Sequence, residues 1–224
     1  MRHPLLGALV GVVAGVLAAC GDSSGPGSHE TFTAADPIGD TFGTQTVQPD
    51  LRAMTIVHDS GGIDVSLEFT AAVQSPVTGG ANVVIGFVDF DTDQDSTTGS
   101  ASAVDIFRPG SGSTGMGVEY EVDLFGYAAD STVPVIQESS GLPTGNVKPL
   151  FQGNRITFRV PRALLGNDDA FLNAASVIGS EAEPTDIVPN TGHLRVGGVA
   201  PTPPVGAAGR AAMRASVRRM WGRR

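Results

Sequence analysis

The chain is predicted to be all-β: an antiparallel β-sandwich of jelly-roll or immunoglobulin-like type, with at most one or two short helical turns. Three observations predict this. Apolar and polar residues alternate at period two in several short runs, helix signals in the interior are scarce, and 30 glycines punctuate the runs. Ile63, Val65, Leu67 and Phe69 alternate with Asp64, Ser66, Glu68 and Thr70, which puts one face inward and leaves the other wet. Asp59-Ser60-Gly61-Gly62 precedes this run and has the composition of a hairpin turn. Residues 83–90 (VVIGFVDF) are nearly all apolar, as expected of a central strand covered on both faces. Val118, Tyr120, Val122 and Leu124 alternate with Glu119, Glu121 and Asp123, again one face in and one face wet. Ile156, Phe158 and Val160 repeat the pattern against Arg155, Thr157 and Arg159. The helical exception is Pro161-Arg162-Ala163-Leu164-Leu165-Gly166, one short turn with Pro at its start and Gly at its end.

The ends of the chain differ from this interior. Arg2 and His3 give a short basic start, and residues 5–19 are uncharged and apolar. That run is shorter than the roughly 20 residues that span a bilayer. A basic start, a short apolar run and small residues before a cut describe a targeting segment. Leu17-Ala18-Ala19-Cys20-Gly21 resembles the lipobox of bacterial lipoprotein precursors. The resemblance implies cleavage before Cys20, a diacylglyceryl thioether on its sulfur and a place in the cell envelope, at the outer membrane or cell surface. Several acyl chains, at ~0.8 kcal/mol per buried CH₂, make an anchor that hardly dissociates. Residues 1–19 are thus the signal peptide, and residues 20–29 (CGDSSGPGSH) are the lipidated cysteine and a Gly/Ser/Pro tether. Residues 30–196 form one sandwich domain, and residues 197–224 are a Pro-rich linker and basic tail. Cys20 is the only cysteine, so no disulfide can staple the domain within one chain.

The formal net charge of −9 is unevenly spread. All 23 acidic residues lie within residues 22–186, while Arg2 and six arginines in residues 210–224 account for seven of the 14 basic ones. The interior therefore carries 7 − 23 = −16, which disfavours nucleic acid and anionic headgroups and suits cations. In the tail, Met213, Val217, Met220 and Trp221 fall at helical spacing, but Arg210 and Arg224 share their sector. A basic tail without a clean apolar face fits this better than a second lipid contact.

Five landmarks occur in order through the domain: Asp36-Pro37-Ile38-Gly39-Asp40-Thr41, the acidic loop Asp91-Thr92-Asp93-Gln94-Asp95-Ser96-Thr97-Thr98-Gly99, Gly117-Val118-Glu119-Tyr120-Glu121-Val122, Val160-Pro161-Arg162-Ala163-Leu164-Leu165-Gly166, and Asp186-Ile187-Val188-Pro189-Asn190-Thr191-Gly192. The series resembles extracellular bacterial β-sandwich modules related to DOMON domains and family 9 carbohydrate-binding modules. The resemblance implies a sandwich and, loosely, ligand binding, because such folds carry sugar, haem and purely structural roles.

The sharpest candidate for chemistry is the acidic loop, with Asp89, Asp91, Asp93 and Asp95 at alternate positions where a buried strand enters a turn. Four such carboxylates repel one another unless a cation lies among them, and Ca²⁺ takes six to eight oxygen ligands. Counted from Asp91, position six is Ser96 and position twelve is Ser102, which excludes a helix–loop–helix calcium site. Glu119, Glu121 or Asp105 could complete a β-loop site from neighbouring strands. The competing reading is a solvated hairpin end whose aspartates cap the turn. Sugar binding would need an aromatic platform, for which Phe107, Phe125 and Tyr127 are available, Tyr120 alternating into the core. Haem would need ligands among Met54, His58, Met116 and His193. Enzyme signatures are missing: Gly110 to Gly115 lacks the nucleophile-elbow register, and no Gly-Lys-Ser or Gly-Lys-Thr follows a glycine run. A hydrolase would need two facing carboxylates, with Asp105 and Glu119 as the pair to look for. The reading is a lipid-anchored, non-enzymatic binding or structural module, Ca²⁺-stabilised, with the membrane and an envelope polysaccharide or protein as partners. A carbohydrate-binding module and an unrecognised hydrolase are the alternatives.

Overall fold

The computed structural model describes residues 29–198 except 77–79, 81 and 170. Cys20, the lipobox, most of the tether and the basic tail lie outside the described residues. Among those described, no helix is long and apolar enough to cross a membrane.

Two antiparallel sheets face each other, as the alternating runs require. The first contains, in spatial order, β1 (Glu30–Ala35), β2 (Leu51–Asp59), β3 (Gly62–Phe69), β9 (Arg155–Pro161) and β8 (Leu150–Gln152). The second runs β11 (Pro184–Val188), β10 (Leu172–Gly179), β4 (Ile85–Asp91), β5 (Tyr120–Asp123), β6 (Val133–Gln137) and β7 (Leu142–Val147). β12 (Leu194–Val196) pairs with Leu172–Ala174 of β10, end to end with β11 along the same edge. Among the described residues the helical elements include one five-residue helix, α1 (Ala103–Phe107), and short 3-10 turns, one of them the turn expected after Pro161.

The 59–62 hairpin forms as its composition predicts. Asp59 Oδ1 accepts the amides of Gly61 (2.7 Å) and Gly62 (3.1 Å), and Asp59 pairs with Gly62 across the turn. β3 then alternates as read, with Ile63, Val65, Leu67 and Phe69 in the core. They meet Val88, Phe90, Tyr120 and Val122 of the second sheet in one cluster. The outer face of the first sheet is wet and laced with ion pairs, Arg155–Glu68 at 2.7 Å and Arg159–Asp59 at 2.6 Å among them. Such exposed pairs contribute about 0–1 kcal/mol each.

The second sheet departs from the simple pattern. β4 is buried at every position, as the 83–90 run predicts. The reason is a cover: residues 92–118 fold back over the outer face of β4, β5 and β10, bringing α1 with them. Ala103, Val104, Met116 and Val118 pack there on Phe87, Ala175, Val177 and Ile187 as a second core. Phe107 and Phe125 lie against Phe87, with ring centroids 6.0 and 5.1 Å away. The same cover corrects the reading of β5. Glu121 and Asp123 are buried, not wet, because their face of the sheet is roofed rather than solvated. β5 also ends earlier than the alternation suggests. Asp123 accepts the Phe125 amide at 2.8 Å and turns the chain into a 3-10 turn at Leu124.

Because Phe87 joins sheet and cover, Phe87→Ala should cost ~3–5 kcal/mol in urea unfolding, the range for large aromatic truncations in cores. Arg52→Ala, on the wet face, should cost less than about 1 kcal/mol.

Candidate functional site

The outer face of β4 and β5 is where the acidic residues gather. Phe87, Asp89 and Asp91 share one parity on β4, and Asp89 lies directly opposite Glu121 on β5. Asp123 shares the face of Glu121 within β5, and Glu119 lies just before the strand.

At its upper end, Asp91, Asp93 and Glu119 bring oxygens within 4.8 Å of one another, close enough to hold a metal ion. Asp91 has no solvent exposure. Its Oδ2 accepts from Asn173 Nδ2 at 3.0 Å and, more weakly, from the Gly117 amide at 3.4 Å. Its Oδ1 is buried and makes no hydrogen bond of good geometry, although the Gln94 amide also acts on this carboxylate, and Oδ1 of Asn173 is buried without a partner. Asp93 accepts the Asp95 amide at 2.9 Å, and Glu119 Oε2 accepts the Thr92 amide at 2.9 Å. The Thr98 hydroxyl lies 2.8–3.0 Å from four acceptors: both oxygens of Asp93, Oε1 of Glu119 and the Asp95 carbonyl. One hydroxyl proton cannot serve four acceptors. The centre is therefore rich in oxygen lone pairs and short of protons. Gly117 permits the close approach of the loop: a Cβ there would lie 2.3 Å from the Thr98 carbonyl oxygen and 2.6 Å from that of Asp95.

Electrostatics agree with that geometry. Burial, then the charge of Asp93, pushes Glu119 up to about 8. Burial also raises Asp91, against the hydrogen bond from Asn173. A carboxylate so placed holds a proton at neutral pH or meets a cation instead.

Of the four aspartates singled out in the sequence, the structure brings Asp91 and Asp93 together and sends the other two elsewhere. Asp89 lies beneath α1, where its Oδ2 accepts from Ser102 Oγ and the Ala103 amide, both at 2.7 Å. Ser102 in turn caps the helix by accepting the Val104 amide at 3.1 Å. Asp95 accepts the Thr97 amide at 2.8 Å, a turn contact. Among the possible completing residues, Glu119 joins the cluster. Glu121 instead lies against Asp89, held well above the carboxylate range by burial and then by the charges of Asp89, Glu138 and Asp123. Asp105 is on α1, not on a strand beside Glu119, and accepts both the amide and the hydroxyl of Thr114 at 2.8 Å. The Asp105 carboxylate is thus engaged by Thr114, while that of Glu119 lies with Asp91 and Asp93.

The other candidates disperse. Tyr127 packs edge-on to Phe151 at 5.8 Å, while Phe107 and Phe125 belong to the outer core, so the three form no shared platform. Met54 lies in the inner core and Met116 in the outer one, on opposite sides of the second sheet. His58 stacks on Phe32, and His193 Nδ1 contacts the Thr114 carbonyl at 2.7 Å.

One cluster was not anticipated. Asp36, Asp40 and Asp186 also bring carboxylate oxygens within 4.8 Å of one another. Asp36 and Asp40 come from one sequence landmark and Asp186 from another, 150 positions along. No spacing rule in a single sequence links them; only the sheet pairing does.

No protein-family model and no curated protein matches the chain.

The buried carboxylates set a pH dependence. Glu119 rises to about 8, Asp186 to about 7 and Asp123 to about 6, with burial the leading cause for each. The folded chain then binds protons that the unfolded chain has released. This contribution to stability is fully present below the ordinary carboxylate range and is lost as pH climbs through about 6 to 8. In chelator, the melting temperature should therefore be lower at pH 8 than at pH 5, as read by calorimetry.

Proposed function

We propose that this protein is a lipid-anchored module of the bacterial cell envelope, a non-enzymatic binding or structural β-sandwich whose outer cover is fastened by Ca²⁺ at Asp91, Asp93 and Glu119. The observation that carries the calcium reading is the buried Oδ1 of Asp91, which makes no hydrogen bond of good geometry, beside two further carboxylates and an oversubscribed Thr98 hydroxyl. All the donors are oxygen, which suits a hard cation, and a β-loop of carboxylates, an amide oxygen and carbonyls matches the irregular coordination that Ca²⁺ accepts and Mg²⁺ resists. Asp91 is on β4, Glu119 adjoins β5 and Asp93 is in the cover, so one ion would tie cover to sheet.

The lipid anchor is supported by the lipobox at Leu17-Ala18-Ala19-Cys20 and the Gly/Ser/Pro stretch that follows. The likeness to DOMON and family 9 carbohydrate-binding modules rests on the ordered landmarks and fits the two-sheet fold. An envelope polysaccharide or protein is the partner this placement offers.

Thermal unfolding of the full chain in detergent tests the calcium reading. Ca²⁺ at a hundredfold excess over its Kd should stabilise the fold by ~2.7 kcal/mol. Asp93→Asn and Glu119→Gln should each remove the ~2.7 kcal/mol that this one site contributes. Identical melting temperatures in Ca²⁺ and in chelator would end the proposal. For the anchor, Cys20→Ser should move the protein from the detergent phase to the aqueous phase on phase partition; unchanged partition would rule out lipid at Cys20.

A further inference from the structure

The second acidic cluster has a different place in the fold and its own unsatisfied atoms. Asp36 is 7% exposed, and both of its carboxylate oxygens are buried without a hydrogen-bond partner. Oδ1 of Asp40 and Oδ1 of Asn190 are likewise buried and unpartnered, while Asn190 Nδ2 donates to Asp40 Oδ2. Asp186, with no exposure, accepts the Leu51 amide at 2.7 Å and the Ile187 amide at 2.9 Å. Each of its oxygens keeps a second lone pair. Asp50, whose charge acts on the same group, is turned away to accept the Gly39 amide at 3.1 and 3.2 Å. Gly39 sits at φ +83°, a conformation that favours glycine and closes the Asp36–Asp40 turn.

The surroundings supply no adequate counter-charge. Arg108 is the positive group whose charge acts on Asp36, yet it lies over the Phe42 ring at 4.2 Å and makes no ion pair with the cluster. Two desolvated oxygens on one carboxylate, with no hydrogen bond to either, are unfavourable unless a proton or a cation occupies the space between them and their neighbours. A proton satisfies one oxygen. A cation among three carboxylates satisfies several at once.

We propose that Asp36, Asp40 and Asp186, with the side-chain oxygen of Asn190, form a second site for a hard divalent cation, Ca²⁺ by its all-oxygen donor set. Its role differs from that of the first site. Asp186 has the parity of Val188 on β11, and Val188 lies in the inner core, so Asp186 faces the seam between the sheets. Asp36 and Asp40 belong to the connection from β1 to β2 in the other sheet. The ion therefore joins sheet to sheet beside the first strand after the tether, whereas the Asp91 site joins cover to sheet. Asn173, beside the first site, and Ile178, paired with Asp186, are five residues apart on β10, which is about 17 Å of strand. The two ions would bind independently.

Calorimetric Ca²⁺ titration of the full chain in detergent tests this, with parallel titrations of Asp36→Asn, Asp40→Asn and Asp93→Asn. Wild-type protein should bind two ions per chain. Asp36→Asn and Asp40→Asn should each lose one and keep the ion that Asp93→Asn loses. Asp40 is only half-buried and lies in an irregular connection, so its amide variant keeps the test alive should Asp36→Asn fail to fold. A single ion in wild type, lost in Asp93→Asn and kept in Asp40→Asn, overturns the seam site and leaves the loop site standing. A single ion with the opposite pattern overturns the loop site alone. No bound ion overturns both.

Discussion

Burying like charges is the constraint that organises this sandwich. Among the described residues, seven carboxylates are buried, Asp36, Asp89, Asp91, Glu121, Asp123, Glu138 and Asp186, and no Lys or Arg is buried with them. Isolated charges in such places are costly, so each must be neutralised, hydrogen-bonded or matched by an ion. The chain uses different solutions at different depths. Asp123 is satisfied by local backbone amides at the end of β5. Asp89 takes a serine hydroxyl and an amide from the start of α1, while neighbouring Glu121 is held toward its neutral form. Oxygens without donors remain at Asp89, beside Glu121, and at Asp91, Asp36 and Asp40, where the protein offers groups of carboxylates rather than cations of its own.

That choice connects the electrostatics to the topology. The outer face of the second sheet is apolar around Phe87 and acidic toward Asp91, so the cover must be greasy at one end and polar at the other. Residues 92–118 meet both demands. Val104 and Met116 seal the apolar part, and Asp93 and Thr98 come down on the acidic part. Gly117 lets the two segments of the cover touch where any side chain would collide with the Thr98 carbonyl. The cover is thus docked by ordinary hydrophobic burial at one end and by carboxylate chemistry at the other. Loss of the second term would loosen residues 92–98 without unfolding the inner core.

The strands were legible because period two is a strong signal wherever one face is wet. β3 and β9 follow it residue by residue, and the Asp59–Gly62 hairpin was visible in its turn chemistry. β5 was legible as a strand but not as a buried one. Alternation reports that a face is polar, and polar was equated with solvated, whereas Glu121 and Asp123 are roofed by a segment with too little periodicity to announce itself. The acidic loop was found from spacing, but spacing could not say which aspartates converge. Alternate residues leave a strand on one side only while the strand lasts. Past Asp91 the chain turns, so Asp93 rejoins the cluster from the loop and Asp95 is spent on the Thr97 amide. The Asp36–Asp186 meeting depends on the pairing of β10 with β11 and on the Leu51–Asp186 contact, neither of which leaves a local trace.

A sandwich whose sequence holds one cysteine, Cys20, has no intrachain disulfide with which to stiffen its loops. A calcium site can serve such a purpose at affinities as low as ~10⁻⁴–10⁻³ M. Weak sites of this kind tolerate irregular geometry and few protein ligands. Three carboxylates and an amide oxygen, completed by water, suffice. The two acidic clusters lie where a disulfide would be most useful, one across the seam between the sheets and one between the second sheet and its cover. An oxygen-ligated ion at each place would do the same mechanical work as a crosslink while remaining dependent on the medium, so the rigidity of the domain would follow the calcium content of its surroundings.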